Sequence, residues 1–266
     1  MKIIKDALMK DYTSFKIGGP ADRLVVPETE DEIKEAMSMP RPLLIGNGSN
    51  MLFSDAGYRG TVVKLGEAFS TIKLEGNTIT AGAAALLPAV SRFAAENGLS
   101  GLEFACGIPA SVGGAMYMNA GAYEHSISEL LEDKEGFGYR KSPFMMNGKI
   151  VSSARFILSP DDPEKIKERM REYTKQRTSK QPLSFPSAGS FFKRPEGYFA
   201  GKLIQDAGLK GYSIGGAQIS PLHAGFVINT GNATCKDVLD LMHHVQSVVK
   251  DKFGVDMQPE VRIIEE

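Results

Sequence analysis

The sequence predicts an α+β protein of two or three compact units, and three observations predict it. At 266 residues the chain is longer than one small core requires. Short apolar runs of strand length, set off by glycine-rich turns, are interleaved with a few stretches of helical periodicity. The third observation is the segment Gly101 to Tyr123, with glycine at 101, 107, 113, 114 and 121 and small residues in most of the gaps. Each glycine inside a helix costs roughly 1 kcal/mol against alanine, so no ordinary helix is expected here. The segment is also too apolar for a disordered linker. It reads as backbone shaped around a ligand, because a chain without bulky Cβ atoms lets main-chain N–H groups approach an anion or a flat ring.

The elements follow in order. Gly18-Gly19-Pro20 is a turn signal ahead of the extended run Arg23 to Val26. Thr29-Glu-Asp-Glu32 has the spacing of a capping box and opens a short helix through Met37. Leu43 to Ile45 is a short buried strand that runs straight into Gly46-Asn-Gly-Ser-Asn50. Thr71 to Leu74 and Thr78 to Thr80 alternate around Glu75-Gly-Asn77, which predicts a hairpin. Leu87 to Asn97 is a helix, with Pro88 in its first turn and Gly98 past its end. Ile150 to Leu158 is a strand, and Asp161-Asp-Pro163 starts a polar helix that connects domains and reaches about Arg177. From Cys235 to Phe253, Val238, Leu241, Met242, Val245, Val248, Val249 and Phe253 recur at three and four, with Thr234 as cap and Gly254 as stop. Val261 to Ile264 closes the chain as a strand, and no internal repeat or low-complexity tract interrupts it.

Composition bounds the function. A chain that is 42% hydrophobic and 24% charged reads as a soluble globular protein, and a net charge of -1 exerts no general pull on nucleic acid or an anionic membrane. Charges at Lys2, Lys5, Asp6 and Lys10 leave no apolar core for a secretory signal. The longest weakly polar run, Ile79 to Val90, contains Pro88 and falls far short of the ~18 residues that span a bilayer. A cytoplasmic protein is expected, with no nucleic acid, no membrane and no obligate protein partner. Cys106 and Cys235 stand alone in different elements, as small hydrophobes rather than a disulfide or zinc pair. The four histidines lack metal-ligand spacing, so no metal is expected, and His243 and His244 lie beside the core stripe of their helix.

Gly46-Asn-Gly-Ser-Asn50 is not the dinucleotide fingerprint, because Met51 stands where the third glycine belongs. A Rossmann domain is therefore not expected. The five residues do suit a phosphate turn: two glycines permit positive φ, successive N–H groups form an anion nest, and Ser49 and Asn50 add donors. A tight turn with no ligand explains the same residues as well, so the turn gains meaning from its company.

With Ile17-Gly-Gly-Pro-Ala-Asp22 upstream and Gly101 to Tyr123 downstream, this turn resembles the flavin-binding half of the MurB family, the UDP-N-acetylenolpyruvoylglucosamine reductases. The resemblance continues through Gly138-Tyr-Arg-Lys-Ser142, Ser179-Lys-Gln-Pro182, Ser187-Ala-Gly-Ser-Phe-Phe-Lys193, Lys202 to Gly211, Gly215-Gly-Ala217, His223 and Pro259-Glu-Val-Arg262, in the family's order. It implies an FAD domain of the vanillyl-alcohol-oxidase (PCMH) type in two lobes, residues 1–63 with 258–266 returning, and 64–160. An α+β substrate-binding domain would occupy 161–257. It also implies NADPH as co-substrate and reduction of the enolpyruvyl group of a UDP-sugar to UDP-N-acetylmuramate, a precursor of peptidoglycan.

Carried over residue by residue, the FAD contacts would be Gly46, Asn47, Gly48, Ser49 and Asn50 in the turn. Gly107, Ile108, Pro109, Ser111, Val112, Gly113, Gly114, Asn119, Gly121, Ala122 and Tyr123 would supply the rest. Arg140 matches the family's carboxylate-binding arginine, where a planar guanidinium holds the enolpyruvyl carboxylate and stabilises charge that spreads onto it. Ser190 matches the proton donor: a poor acid in water, it becomes competent toward a carbon made strongly basic by hydride addition. Glu260 matches the catalytic glutamate, as second acid or orienting group. Lys180 suits the UDP phosphates, and Tyr139, Arg194, His223 and Arg262 match other substrate contacts.

Four features depart from the family pattern. The interval from Tyr123 to Tyr139 is short, as if a strand pair were deleted, and holds the acidic, exposed-looking run Glu124 to Glu135. Ala110 replaces a glycine, which strains the chain if positive φ is required there and changes little if only smallness is. Arg194 and Gly225 each replace an asparagine in the UDP-side lining. Two rivals remain at this point: another FAD oxidoreductase of the same superfold, and a degenerate UDP-sugar-binding module without redox function. Arg140, Ser190 and Glu260 argue against the first, and flavin content decides the second.

Overall fold

The computed structural model describes residues 1–265; of the closing segment expected at 258–266, Glu266 lies outside them. The chain opens with β1 (Lys2–Leu8) and β2 (Pro20–Val26). Helix α1 (Glu30–Ser38) starts where the capping spacing places it, with Thr29 Oγ1 accepting the Glu32 N–H. The return arm of the box goes elsewhere: the Glu32 carboxylate takes the N–H of Glu28 and the ammonium of Met1. Strands β3 (Pro42–Ile45), β4 (Met51–Phe53) and β5 (Tyr58–Lys64) follow, and β1, β2, β5 and β3 form a sheet in that order.

Next come β6 (Ile72–Glu75) and β7 (Thr78–Gly82), the expected hairpin. Its two-residue turn has positive φ at Gly76, the first central position, where a type II′ turn needs it. Helix α2 (Leu87–Glu96) carries Pro88 in its first turn and ends before Gly98 at φ 67°. After β8 (Leu99–Ser100) the glycine-rich segment contains a helix after all, α3 (Val112–Met118). Helix propensity loses here to packing: Gly113 and Gly114 sit where the chain approaches its neighbours closely.

Beyond it, β9 (Gly121–Ala122) pairs with β10 (His125–Ser126). The acidic run that follows is less exposed than its composition suggests. Glu129 accepts the Ser126 N–H and closes a short 3₁₀ turn, which drives Ile127 and Leu131 into the core. Burying each such side chain is worth about 1.5–3 kcal/mol. Then come α4 (Phe144–Asn147), β11 (Ser153–Ile157), β12 (Ser159–Pro160) and α5 (Pro163–Lys180), the last longer than expected and anchored by fully buried Ile166. The remainder is β13 (Ser187–Ser190), α6 (Ala200–Asp206), β14 (Ser213–Ile214), β15 (Ala217–Ile219), β16 (Phe226–Asn229), α7 (Cys235–Phe253) and β17 (Arg262–Ile264). Helix α7 has Thr234 as cap, Gly254 past its end, and Val238, Leu241, Met242, Val245 and Val249 on its buried face.

Compactness groups Met1–Ile3, Val25–Asn47 and Val63–Arg177 into one unit, and Ile4–Leu24, Gly48–Val62 and the chain from Thr178 into another. The first unit has the sheet β11-β7-β6 and a core built on Leu87, Val90, Leu102, Val112, Ile127 and Phe156. Arg169 of α5 joins Glu103 at 2.7 Å and Asp161 at 2.6 Å within that unit. The second unit has the sheet β13-β16-β15-β14, the parallel pair β17 and β4, and a core of Phe15, Leu52, Phe191, Val238, Leu241 and Val261.

Candidate functional site

In the first unit the end of β3 is gripped from three directions. A Cβ on Gly46 would stand 2.6 Å from Ser111 Oγ and 3.2 Å from Gly114 Cα, so only glycine lets the turn lie against the start of α3. Asn47 Nδ2 donates to Pro109 O at 2.8 Å. Lys64 Nζ, from the end of β5, donates to Gly46 O at 3.2 Å. Burial holds the Lys64 ammonium below the usual lysine range.

The donors of α3 are spent inside the protein. Val112 N–H goes to Ala85 O at 2.8 Å, Gly113 N–H to Ala83 O at 2.9 Å, and Gly114 N–H to Ser111 Oγ at 3.4 Å. Sequence reasoning offered such N–H groups to a ligand; buried main-chain donors must be paired, and here the protein pairs them itself. The glycines act through smallness instead, since a Cβ on Gly113 would lie 3.0 Å from that of Ala83. Ala110 is buried and outside the positive-φ residues, so its position asks for a small side chain and not for glycine.

The far end of α3 builds a second bracket. Asn119, buried and left-handed at φ 44°, accepts the Ser128 N–H at 3.2 Å and donates to Gly138 O at 2.8 Å. Ser142, also buried, donates to Tyr117 O at 2.7 Å. Between these anchors Arg140 has φ 52°, a region that costs a non-glycine residue on the order of 1 kcal/mol. Its guanidinium donates to Asn119 O at 3.5 Å and Gly121 O at 3.4 Å and lies 5.1 Å from the ring centre of exposed Tyr139. Gly121 must be small as well, because a Cβ would meet His125 O at 2.3 Å across the β9 and β10 pair.

Tyr123 stacks on Tyr173 at 4.4 Å, and its hydroxyl donates to Tyr173 O at 3.0 Å. Burial raises its phenol pKa. Arg177 runs across Gly107, where a Cβ would come within 2.6 Å of its Cδ. Burial lowers the Arg177 pKa, opposed by Tyr123 and Cys106. Ile108 and Ala122 pack at the rim of the core. Lys64 and Arg177 are the residues that sequence reasoning missed. For Lys64 the available signal was a lone cation ending the apolar run Thr61-Val62-Val63; Arg177 had no local pattern to mark it.

In the second unit, Gly48 has φ 66° and a Cβ there would overlap Tyr12 O at 2.1 Å. Ser49 and Asn50 lead into β4. Asn50 is tied to the closing segment twice: its Nδ2 donates to Glu260 O at 3.1 Å, and its carbonyl accepts the Arg262 N–H at 3.0 Å. Glu260 N–H donates in turn to Phe191 O at 2.8 Å, and Lys193 N–H to Gln258 O at 2.9 Å. These bonds, main-chain apart from the Asn50 amide, set Asn50, Glu260 and Arg262 side by side, with exposed Ser190 one residue before Phe191 at the end of β13.

Phe191 N–H donates to Gly225 O at 2.9 Å, which places the His223 turn beside the same strand. His223 Nδ1 accepts the Gly225 N–H at 3.1 Å, and its ring meets Phe226 edge-on at 5.1 Å. Burial lowers the His223 pKa, with Lys210 adding to it and a backbone hydrogen bond opposing, so the imidazole is neutral near pH 7. Gly225 has a physical reason here: a Cβ would press to 3.0 Å from the His223 ring. Arg194 lies 4.0 Å over the Phe199 ring, and Lys180 is exposed at the end of α5. Cys235 is buried at the start of α7, its thiol pushed up to about 12 by burial and by Asp55.

Among the described residues, no group of three or more His, Cys, Asp or Glu side chains is placed to hold a metal ion, and no helix is long and apolar enough to cross a membrane.

Known proteins match this arrangement along its length. An FAD-binding domain model matches residues 21–134, and the model of the UDP-N-acetylenolpyruvoylglucosamine reductase C-terminal domain matches residues 181–264. A UDP-N-acetylenolpyruvoylglucosamine reductase of Clostridium beijerinckii is 51% identical over 97% of this chain and 91% of its own. One of Alkaliphilus oremlandii is 46% identical over 99% of this chain and 94% of its own. The crystal structure of the Thermus caldophilus enzyme superposes with a TM-score of 0.87 at 39% identity, covering 99% of both chains. The fold is therefore an FAD-binding domain of the PCMH type joined to the reductase C-terminal domain. The chain belongs to the UDP-N-acetylenolpyruvoylglucosamine reductase family.

Proposed function

We propose that this chain is the flavoprotein that uses NADPH to reduce the enolpyruvyl group of UDP-N-acetylglucosamine enolpyruvate to UDP-N-acetylmuramate in the synthesis of peptidoglycan precursors. The observation that carries this reading is the presence of both family domains in one chain, at about half identity over nearly its full length. The backbone proposed to hold FAD is kept bare by glycine at 46, 107 and 113, where a Cβ would crowd Ser111, Arg177 and Ala83, so no side chain projects from those three positions. When bound, FAD carries hydride from NADPH to the substrate. The turn residues 46–50 and the surface from Gly107 to Tyr123 are the proposed flavin contacts.

The protein's own groups orient the substrate and manage charge and proton. Arg140, held by the carbonyls of Asn119 and Gly121, has a planar face suited to the enolpyruvyl carboxylate and to the charge that reaches it as hydride adds. Ser190 Oγ gives its proton to the adjacent carbon, so that one hydride and one proton add across the double bond. Glu260 orients that relay or restores the proton. Lys180 meets the diphosphate, while Tyr139, Arg194, neutral His223 and Arg262 line the substrate's path. In this reading the flavin lobes are 1–63 and 64–160, with 258–266 returning to the first, and the substrate domain is 161–257. The pairing of Arg262–Ile264 with Met51–Phe53 supports that return.

The test is anaerobic. NADPH should bleach the flavin band of the parent and of Ser190→Ala alike, and the enolpyruvyl substrate should restore the band only in the parent. Normal turnover by Ser190→Ala would remove Ser190 from the mechanism. A protein that stays colourless after FAD is supplied would be a UDP-sugar-binding module instead.

A further inference from the structure

Lys64 is a half-buried cation inside the first unit whose hydrogen bond goes to the carbonyl of Gly46. It ends a strand in which Thr61, Val62 and Val63 are fully buried, so its ammonium has been drawn from water by the fold. Such desolvation of a lysine is costly unless the charge is hydrogen-bonded or paired with an anion, and the bond that Lys64 makes is to a neutral carbonyl. The partner is informative as well, because Gly46 is the residue that only glycine can occupy against Ser111 and Gly114.

A peptide unit is planar and trans, so its C=O and N–H point to opposite sides. With the Gly46 carbonyl held by Lys64, the Asn47 N–H is turned the other way. The Asn47 side chain is fixed independently by its bond to Pro109 O at 2.8 Å. The peptide linking Gly46 to Asn47 is thereby locked at one end by a cation and at the other by an amide. The first-turn donors of α3, in contrast, are consumed by Ala83, Ala85 and Ser111. A donor in this corner therefore has to come from the turn.

We infer that Lys64 is a positioning residue for the cofactor: it fixes the Gly46–Asn47 peptide so that the Asn47 N–H faces the anionic part of FAD, and its charge favours that anion. This rests on the assignment of the turn to FAD. It extends that assignment to a residue outside the turn, which acts through a carbonyl and touches none of the reacting atoms.

The experiment compares the parent, Lys64→Met and Lys64→Arg, each stripped of flavin and titrated with FAD by fluorescence quenching. Thermal melts of the three apoproteins are recorded alongside. Lys64→Met should raise the FAD dissociation constant at least tenfold with little change in apoprotein melting, and Lys64→Arg, which keeps a cationic donor, should restore it to within about threefold. Amide ¹H–¹⁵N spectra should show the Asn47 resonance shifted in Lys64→Met and near its parent position in Lys64→Arg. FAD binding by Lys64→Met within twofold of the parent would overturn the inference. So would equal weakening in Lys64→Met and Lys64→Arg, or a fall in apoprotein melting that accounts for the lost affinity. Failure of the parent itself to bind FAD would instead remove the assignment of the turn, and the role of Lys64 with it.

Discussion

The two units secure their candidate residues by different means. In the first, side chains and bare glycine surfaces do the holding: Asn119 and Ser142 clamp the segment that presents Arg140, and Gly46 lies against Ser111. In the second, main-chain bonds run from Arg262 to Asn50 and from Glu260 to Phe191 beside Ser190, and one side-chain amide, that of Asn50, adds a bond to the Glu260 carbonyl. A site held by side chains is altered by small changes in its supports. A site held by a main-chain ladder keeps its shape when the functional side chains themselves are replaced.

The largest effect expected is at Arg140. Arg140→Ala should lose at least 10²–10³ in kcat/KM, the usual scale for one positioned charge donor, and Arg140→Lys should recover little because a point charge cannot replace the planar fork. Steady-state kinetics within a few-fold of the parent would end the carboxylate role. Glu260→Gln comes next, with a loss of about 10² in turnover, while the bonds that its main chain makes to Phe191 and Asn50 are kept. Unfolding of that variant would break the contrast between the units. Ser142→Ala removes the hydrogen bond that the buried Ser142 hydroxyl donates to the Tyr117 carbonyl and should cost about 0.5–1.5 kcal/mol in urea unfolding. It should also weaken substrate binding through Arg140, whereas a surface serine would show neither effect.

The smallest effect concerns pH. Burial opposes ionisation of Glu103, but hydrogen bonds from Arg169, Gly101 and Ser100 outweigh it and hold the carboxyl below its ordinary range. A carboxyl with a lowered folded-state pKa adds stability above its ordinary value, and that stability is lost as the pH falls through the folded value. Melting temperature should therefore drop on the acid side of about pH 4.5, and Glu103→Gln should flatten that limb. An identical acid limb in the variant would show that other carboxylates produce it.

How far the sequence could be read depended on whether the deciding force was local. Helices α1, α2 and α7 and the β6–β7 hairpin rest on caps, glycine stops and periodicity within a few residues, and all four were legible. Helix α3 was not, because glycine's poor propensity hid it and contacts with Ala83 and Ala85, some thirty residues away, decide it. Ile127 and Leu131 were masked by the acids around them, although their spacing of four is helical. Arg140, Ser190 and Glu260 sit on separate elements with no spacing of their own, so only the resemblance to the family could single them out. Arg177 was invisible and Lys64 faint for a related reason: a lone cation takes its meaning from what is folded over it.

The pairing of β17 with β4 also has a consequence in time. Residues 51–53 receive their parallel partner from residues 262–264, about 210 residues later in synthesis, which at ~5–20 residues per second is a wait of roughly 10–40 s. Throughout that interval an emerging chain carries one strand edge unmatched and the core around Leu52 still without Val261. The second unit can close only once residues 262–264 have emerged, so a chain cut short before them would hold every residue of its first unit and leave its second unit open to proteases.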